Sequence, residues 1–577
     1  MRMAVTTPAP ESLDAYAGRR TGPALWHYAL EQHRTTPAFL AEEADGWRRV
    51  DWDEAARRVD ELARGLLARG VGHGDKVAIL SRTNLEWSLL DWAILSIGAV
   101  VVGVYPTSAA VEVGYILGHA EAVLAIVEDD VQLAKVAEVR RELPLLRDVL
   151  RFDELGALEA DGRANLVEVF PAVDEDDLAT LIYTSGTTGP PKGVMLTHRN
   201  LVTAATRSER PLFEEGDVVL LFLPLAHCYG RLVSEANAFF GVTIAFCADA
   251  NRLGEALVQT RPTVLPAVPR VYEKIHAAVL GEIERSGGPK RAIGRWALRV
   301  GSQVSSRERD GQALTPSLRV ERAIADRLVF SKARAKLGGR LRFGGSGAAP
   351  LSLDVLEFFH ALGVLIVEGY GLTESAASAT ANHPEEFRFG TVGPPVAGCE
   401  IKLADDGEIL LRSDTIFSGY FKDPEATRDA LTDDGWLRTG DVGELDADGF
   451  LKITDRKKDI LITAGGKNVA PQNLENALKA SRFVSQALVV GDRRPYVAAL
   501  VTLDEAEVRA SGRDPQELVQ ELVDEVNTSH ARVEQIKRFA ILPRDFTIED
   551  GELTPTLKLR RRVVQEHFAE QIEALYS

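Results

Sequence analysis

Cysteine is scarce in this sequence, with three in 577 residues: Cys228, Cys247 and Cys399. An odd number of widely separated cysteines leaves one unpaired in any disulfide scheme, which argues against a secreted, disulfide-dependent fold. None of the three has the spacing of a metal-binding cluster. The cysteine pattern therefore predicts a protein of the reducing cytoplasm.

Long apolar runs are also missing. The N-terminal residues, MRMAVTTPAPESLDAYAGRR, contain no apolar core of a signal peptide. The one candidate for a membrane span runs from Leu89 to Pro106, but Asp91 lies in its first turn and Gly98 divides it into a helical half and a valine-rich half. A buried helix followed by a strand is the better interpretation, and no transmembrane segment is expected.

Positive charge is in deficit, because 67 Lys and Arg face 85 Asp and Glu, a net charge of -18. Such a chain repels nucleic acids and anionic lipids unless a local basic patch offsets the field. The densest run is KLRRR, Lys558 to Arg562, while the stretch from Glu284 to Arg340 is basic, polar and helical in pattern. No nucleic-acid partner is predicted.

The length and the alternating patterns predict an α/β protein of at least two domains. AARRVDELARGLLARGV has the spacing of an amphipathic helix, and KVAILS and AVLAIVED have that of buried strands, which indicates parallel sheets covered by helices. After Thr391, hairpins around DDG and ADG predict an antiparallel, barrel-like section. Near the C-terminus, Asp514 and Pro515 mark a helix start that suits a small α+β domain.

A glycine-, threonine- and serine-rich segment, YTSGTTGPPKGV, follows the apolar run ATLIY. Small hydroxyl residues and glycines let backbone N–H groups and side-chain hydroxyls converge on an anion, and Lys192 adds a positive charge. The segment is not a Walker A loop, because Pro191 stands where that motif needs glycine and glycine follows Lys192. It predicts a phosphate site of another kind and argues against a P-loop NTPase.

Six motifs in chain order resemble the adenylate-forming superfamily, which contains acyl-CoA synthetases, amino-acid adenylation domains and luciferases. The resemblance covers nearly the whole chain. The motifs are YTSGTTGPPKGV, LPLAHCYG, GYGLTES, WLRTGDVGELDADGF, DRKKDILITAGGKNVAP and LTPTLKLRR. It implies a large N-terminal domain, 1–455, of two helix-covered sheets plus the barrel-like section, and a small mobile C-terminal domain, 456–577.

The resemblance implies a site for ATP and Mg²⁺ on the N-terminal domain. Thr373 would contact the α-phosphate, Tyr370 would stack on adenine unless it is a core aromatic, and Glu374 would bind Mg²⁺ together with Thr184. Asp441 and Arg456 would bind the ribose. The remaining nucleotide-binding candidates are Ser185, Gly186, Thr187, Thr188, Lys192, Gly345, Ser346, Gly369 and Gly371.

Lys558 and His227 are the further catalytic candidates. By the resemblance, the Lys558 ammonium bridges the substrate carboxylate and the α-phosphate. His227 would gate or position the acyl group and not act as a general base, although a single histidine is more often a packed residue. Rotation about a hinge at Lys458 would then clear Lys558 from the site. It would bring Gly465, Gly466 and Lys467 to a coenzyme A channel.

The last two motifs look most like bacterial long-chain fatty acyl-CoA synthetases. Fatty acid, ATP and coenzyme A are therefore the expected partners, and Asn237 to Phe246 either wall an acyl tunnel or form a buried helix and strand. Three alternatives stay open: a ligase that stops at acyl-AMP or loads a carrier protein, a ligase for shorter or other hydrophobic acids, and a non-catalytic binding protein. Peripheral membrane contact and a homodimer are compatible with the sequence.

Overall fold

The computed structural model describes residues 5–6, 19–44, 46–165, 167, 170–184, 190–207, 212–464, 467–554 and 558–577. Its strands are β1 Val5–Thr6, β2 Phe39–Glu43, β3 Gly46–Val50, β4 Lys76–Leu80, β5 Val100–Val104, β6 Ala122–Val127, β7 Asp148–Arg151, β8 Leu178–Thr184, β9 Lys192–Thr197, β10 Val218–Leu221, β11 Thr243–Phe246, β12 Val264–Ala267, β13 Phe343–Ser346, β14 Leu365–Tyr370, β15 Thr380–Ala381, β16 Glu400–Leu403, β17 Glu408–Arg412, β18 Gly419–Tyr420, β19 Leu437–Leu445, β20 Leu451–Arg456, β21 Leu461–Ile462, β22 Asn468–Val469, β23 Val484–Val490, β24 Val497–Leu503 and β25 Ile536–Ile541.

The helices are α1 Gly22–Glu31, α2 Trp52–Ala68, α3 Leu85–Ser96, α4 Ala110–Ala120, α5 Asp130–Val139, α6 Leu155–Ala164, α7 His198–Thr206, α8 Cys228–Phe240, α9 Leu253–Thr260, α10 Pro269–Arg285, α11 Gly288–Arg309, α12 Pro316–Ala325, α13 Ser331–Lys336, α14 Leu353–Ala361, α15 Pro424–Ala430, α16 Pro471–Lys479, α17 Glu505–Ser511, α18 Pro515–Thr528, α19 Arg561–His567 and α20 Ala569–Ala574. A π-helical turn, Asp326–Phe330, joins α12 to α13, and Thr373–Ser375 form a 3-10 turn.

Two large sheets form the N-terminal part, as the strand patterns predict. The first has the order β18-β9-β8-β5-β4-β6-β7 and the second β15-β14-β13-β12-β10-β11-β2-β3. Their central pairs are parallel, and helices bury both faces. Because parallel strands end at the same sheet edge, the ends of β13 and β14 lie side by side, with Ser346 opposite Glu368.

The candidate membrane span is a buried helix and strand, which confirms the sequence interpretation. Helix α3 and strand β5 are separated at Gly98, which has a φ of +69°. A side chain there would be strained, and a Cβ would lie 2.4 Å from His73 Cδ2. Within the described part of the chain, no helix is both long and apolar enough to cross a membrane.

The section expected to be barrel-like is a five-stranded antiparallel sheet with the order β1-β16-β17-β19-β20. The last strand, β20, leads into the C-terminal part, where β23, β24 and β25 form a small sheet packed with α16 and α18. Asp514 caps α18, as predicted, by accepting bonds from the backbone of Gln516 and Glu517.

The buried apolar clusters divide along the chain near β20. The three clusters of the large sheets contain no residue beyond Leu451 among their buried members. Two further clusters begin at Leu461 and include Val523 and Phe568. The segment between Leu451 and Leu461 therefore joins two separately packed cores.

Candidate active site

A cleft of about 2180 Å³ lies between the carboxyl ends of the strands and the C-terminal part. Its walls bring together Thr184 and Lys192 from the first sheet, Ser346 and Tyr370 from the second, and Lys558 from the C-terminal part. Motifs up to 374 residues apart in sequence thus face one space. A concave site with convergent polar groups is the usual form of a small-molecule site.

The phosphate segment connects the antiparallel strands β8 and β9. Thr184 at the end of β8 pairs with Lys192 at the start of β9. Ser185, Gly186, Thr187 and Thr188 lie outside the described residues. Lys192 Nζ is 3.6 Å from Asp423 Oδ2 and 5.0 Å from the centre of the Tyr420 ring. The Lys192 side chain thus lines the cleft from the start of a strand and not from a helix.

Glu374 lies in the 3-10 turn after β14 and is held by an aromatic hydroxyl. Tyr420 Oη donates a hydrogen bond of 2.7 Å to Glu374 Oε1, and the backbone N–H of Phe417 donates one of 2.9 Å to the Glu374 carbonyl. Tyr420 had no predicted role. Its ring faces Lys192 and its hydroxyl holds Glu374, so this one side chain links the predicted phosphate lysine to the predicted Mg²⁺ ligand.

Tyr370, Asp441 and Arg456 form a connected group. Tyr370 Oη donates a 2.6 Å bond to Asp441 Oδ2, and Arg456 Nε lies 3.2 Å from Asp441 Oδ1. Asp441 is buried, and that burial raises the pKa of its carboxyl, although Arg456 and Tyr370 oppose the effect. The pairing of β19 with β20 sets Asp441 directly opposite Arg456. Tyr370 borders both the cleft and the apolar core.

The predicted glycine wall consists of two strand ends. Gly345 and Ser346 close β13, and Gly369 closes β14 beside Tyr370. A Cβ on Gly371 would lie 2.3 Å from the Ala377 carbonyl carbon, so only glycine fits there. The buried Ser346 Oγ has no hydrogen-bond partner among the described atoms, which leaves it available to a ligand.

Glu368 is a cleft residue that sequence reasoning missed. It is buried, and its Oε1 accepts a 3.0 Å bond from the Leu351 N–H. Burial raises the pKa of Glu368 to about 7. Its position directly before the GYG run was the one sequence signal available. A single glutamate within an apolar strand does not by itself indicate a binding site.

His227 caps α8 and is kept neutral. Its Nδ1 accepts a 3.2 Å bond from the Tyr229 N–H, and Cys228 Sγ lies 3.6 Å from that nitrogen. Burial, followed by the charge of Lys558, lowers the pKa of His227 to about 3. Cys228 also contacts Thr373 Oγ1 at 3.5 Å, and burial raises its thiol pKa to about 11. Neither side chain titrates near neutral pH.

Lys558 faces the nucleotide wall from the C-terminal part. Its backbone is anchored to Thr554, whose Oγ1 accepts from Lys558 N at 3.0 Å and whose N–H donates to Lys558 O at 2.8 Å. Burial lowers the pKa of Lys558, as does Arg456, while Asp441 and Glu374 act in the opposite direction. The ammonium therefore shares the cleft with both carboxylates.

The predicted hinge and channel residues follow β20. Lys458 lies in the turn after Arg456 and borders the cleft. Gly465 and Gly466 lie outside the described residues. Lys467 is exposed, in the hairpin of β21 and β22, where its backbone bonds to Thr463.

One end of the cleft is apolar. Helix α8 contributes Leu232, Val233, Ala236 and Phe240, and the Phe213 ring lies 5.6 Å from that of Phe240. Of residues 237–246, Phe240 lines the cleft, whereas β11 is fully buried in the second sheet.

Two family models match the chain. The model of the AMP-binding enzyme family matches residues 26–421, and that of the AMP-binding enzyme C-terminal domain matches residues 458–577. Together they cover most of both cores, and the cleft residues between the two matches belong to α15, β19 and β20.

Similar proteins and structures span nearly the same length. The chain is 41% identical to the long-chain-fatty-acid–CoA ligase FadD15 of Mycobacterium tuberculosis, over 95% of this chain and 96% of the relative. It is 34% identical to the peroxisomal long chain acyl-CoA synthetase 6 of Arabidopsis thaliana, over 91% and 81%. The crystal structure of the adenylation domain of a carboxylate reductase from Mycobacterium chelonae superposes with a TM-score of 0.79 at 26% identity, covering 98% and 93%.

Proposed function

Since the chain belongs to the AMP-binding enzyme family, we propose that it is a long-chain fatty acid–CoA ligase that converts ATP, a fatty acid and coenzyme A to acyl-CoA, AMP and pyrophosphate. The observation that carries the proposal is the cleft itself. One cleft is lined by Lys558 and Lys192, by the carboxylates Glu374 and Asp441, and by the apolar side chains of α8.

In the first step, a carboxylate oxygen of the fatty acid attacks the α-phosphorus of ATP, and the bond to pyrophosphate breaks. Two anions must approach, so the reaction depends on positioning and on neutralised charge. Lys192 would hold the β- and γ-phosphates, and Lys558 would bridge the acid and the α-phosphate. Asp441 and Arg456 would hold the ribose, and neutral His227 would position the acyl carboxylate.

The residues present fit Mg²⁺. Mg²⁺ is usually held by one or two carboxylates together with phosphate oxygens and water. Glu374 offers Oε2, since Tyr420 binds Oε1, and Thr184, at the end of β8, lines the same cleft. Among the described residues, no group of three or more His, Cys, Asp or Glu side chains could hold a metal ion. When bound, the ion would neutralise charge on the phosphates.

In the second step, the thiol of coenzyme A loses its proton and attacks the acyl carbonyl, and AMP leaves. Lys558 must first withdraw. We propose that residues 456–577 rotate as one domain about Lys458 and carry Gly465, Gly466 and Lys467 to the thiol path. The division of the apolar cores between Leu451 and Leu461 supports a boundary at this point.

The acid is proposed to be long because the lining beyond the nucleotide wall is apolar. Each methylene buried there contributes about 0.8 kcal/mol, so a tunnel along α8 discriminates by length without a sequence motif. The 41% identity with a long-chain ligase supports the same class.

AMP release across saturated acids of increasing length, with and without coenzyme A, tests the proposal. We expect thiol-dependent release that is highest for long chains. AMP formation without a thioester product would identify an acyl-AMP ligase, and thioester formation on a carrier protein alone would identify a carrier ligase.

Lys558→Ala separates the two steps. We expect pyrophosphate exchange to be lost, while attack of coenzyme A on pre-made acyl-AMP is largely retained. Lys452→Ala, an exposed lysine in β20, is the matched control. Equal loss of both half-reactions would contradict the alternating role of Lys558.

A further inference from the structure

Helices α11 to α13 carry positive charge that contrasts with the rest of the chain. Residues 288–340 contain 13 Lys and Arg and 4 Asp and Glu, an excess of nine positive charges in a chain of net charge -18. The charges are spread over three helices and therefore form no dense run in the sequence. The fold gathers them on one side of the second sheet, where the inward residues Val304 and Leu318 join its core.

The outward face of α12 is apolar where a solvated helix would be polar. Val320 and Ile324, one turn apart, are 61% and 45% exposed, and Leu328 in the π-helical turn is 43% exposed. Leu318 and Ala325, on the opposite face, are buried. The helix thus buries one apolar face and exposes a second one.

Basic side chains border this exposed stripe. Arg319, Arg327 and Lys332 are exposed, and within the described residues they form no ion pair. Two neighbours are neutralised: Arg322 binds Glu308 at 2.6 Å, and Arg334 binds Asp326 at 2.7 Å. We define the α12 surface as Arg319, Val320, Ile324, Arg327, Leu328 and Lys332.

We propose that the α12 surface docks the enzyme on an anionic phospholipid bilayer. An aliphatic stripe flanked by unpaired cations matches the boundary between acyl chains and anionic headgroups. A second copy of the chain is disfavoured, because two such basic faces repel each other. Nucleic acid is disfavoured because the centre of the surface is aliphatic and offers neither hydrogen bonds nor aromatic stacking.

The docking goes beyond the proposed reaction and does not depend on it. A surface that binds the bilayer would place the cleft close to a membrane-dissolved acid. The binding itself is measured without any turnover, so failure of the docking and failure of the ligase assignment give separate results.

Vesicle co-sedimentation of the full chain tests the proposal. One set of vesicles is phosphatidylcholine alone, and the other contains equal parts of phosphatidylcholine and phosphatidylglycerol. We expect sedimentation with the anionic vesicles, little with the neutral ones, and release by added salt because exposed charges are screened.

Two variants divide the surface into its charges and its apolar stripe. Arg319→Glu, Arg327→Glu and Lys332→Glu together should lower partitioning more than 100-fold, since each basic residue near an anionic surface contributes about five-fold. The double variant Val320→Ser, Ile324→Ser should bind the anionic vesicles more weakly, but the salt dependence of its binding should be unchanged. The matched control changes three arginines that are exposed outside the α12 surface to glutamate: Arg49, Arg141 and Arg532. It has the same net charge as the first variant and should bind the vesicles nearly as well as the wild type, because the proposal attributes binding to the α12 surface and not to net charge.

All the changed side chains are exposed, so we expect each variant to fold. Circular dichroism of each variant verifies this. Two results with the wild-type protein would overturn the proposal: no sedimentation with the anionic vesicles, or equal sedimentation with both kinds of vesicle. Two results with the variants would also overturn it: a loss of binding in the control equal to that of the charge-reversed α12 surface, or α12-surface variants that bind vesicles normally and change only the oligomeric state or RNA binding.

Discussion

The hydroxyl of Tyr420 holds Glu374 at 2.7 Å, while the Tyr420 ring lies 5.0 Å from Lys192 Nζ. These two contacts join the proposed metal carboxylate to the proposed phosphate lysine, which are 182 residues apart in sequence. Burial, with the nearby charge of Glu374 next in effect, raises the pKa of Tyr420, so the phenol stays protonated and donates. A fixed rotamer of Glu374 is the consequence.

Tyr420→Phe should weaken the response to Mg²⁺. It removes a hydrogen bond to a charged group, worth about 1.5–3 kcal/mol, but keeps the ring near Lys192. We expect the Mg²⁺ concentration for half-maximal pyrophosphate exchange to rise roughly ten-fold, which corresponds to about 1.4 kcal/mol. The thermal stabilisation given by ATP with Mg²⁺ should decrease in parallel.

Tyr496→Phe is the control for this change. Tyr496 donates a comparable 2.7 Å bond to the Leu575 carbonyl in the C-terminal part, away from the cleft. It should alter stability without altering the Mg²⁺ response. An unchanged Mg²⁺ requirement in Tyr420→Phe would show that the hydroxyl has no positioning role.

The adenylation step should decrease at alkaline pH as Lys558 loses its proton. Lys558 is charged below its pKa, and because burial lowers that pKa, the decrease should begin at lower pH than for an exposed lysine. In Lys558→Arg the guanidinium stays charged, so the alkaline decrease should move to higher pH, whatever the maximal rate. Pyrophosphate exchange measured against pH verifies this; identical profiles would contradict it.

His227 should contribute no ionisation between pH 5 and 8, since its pKa is about 3. His227→Asn keeps a side chain able to cap α8. Its pH profile should therefore match the wild type even if its rate is lower. His227→Ala also loses the cap and should be less stable by about 1 kcal/mol, seen as a lower Tm than that of His227→Asn. Loss of an acidic limb in His227→Asn would assign proton transfer to the imidazole.

Contacts between the two cores should favour the state in which Lys558 faces the cleft. Arg285 of α10 forms an ion pair with Glu507 of α17, and Arg270 Nη2 donates a 2.8 Å hydrogen bond to Ser485 Oγ. Arg285 is half exposed, so the pair is worth at most about 1 kcal/mol. Glu507→Gln should slow pyrophosphate exchange two- to five-fold without slowing thioester formation from acyl-AMP.

Glu505→Gln, an exposed change on the same helix whose ion pair is to Arg509 within it, is the control for Glu507→Gln. Arg285→Ala combined with Glu507→Gln should add little to either change alone. Equal slowing of both half-reactions would count against a role in domain position.

A larger side chain at Ala236 should shorten the preferred acid. Ala236 is 3% exposed and lines the apolar end of the cleft. Ala236→Phe should raise the KM for long acids, at about 0.8 kcal/mol for each excluded methylene, and leave short acids nearly unaffected. Ala137→Phe, on the exposed side of α5, should change neither. Uniform loss over all lengths would indicate a folding defect or a different tunnel.

Much of the fold follows from local patterns. The period of α2, the apolar runs of β4 and β6, and the break at Gly98 each depend on neighbouring residues, so the sequence predicts them directly. The ordered motifs likewise placed Lys192, Glu374, Asp441 and Lys558 in one site before their distances could be known.

Tertiary structure alone decided which side chains act on these residues. Tyr420, Glu368 and Cys228 reach the cleft through strand register and helix packing over long sequence separations. Charge and burial depend on the same packing: the -18 chain exposes a basic, aliphatic surface at α12, and Lys558 and His227 have lowered pKa values because the cleft removes water from them. Sequence fixes periodicity and residue chemistry, whereas desolvation and long-range contacts exist only once the sheets and the two cores are packed.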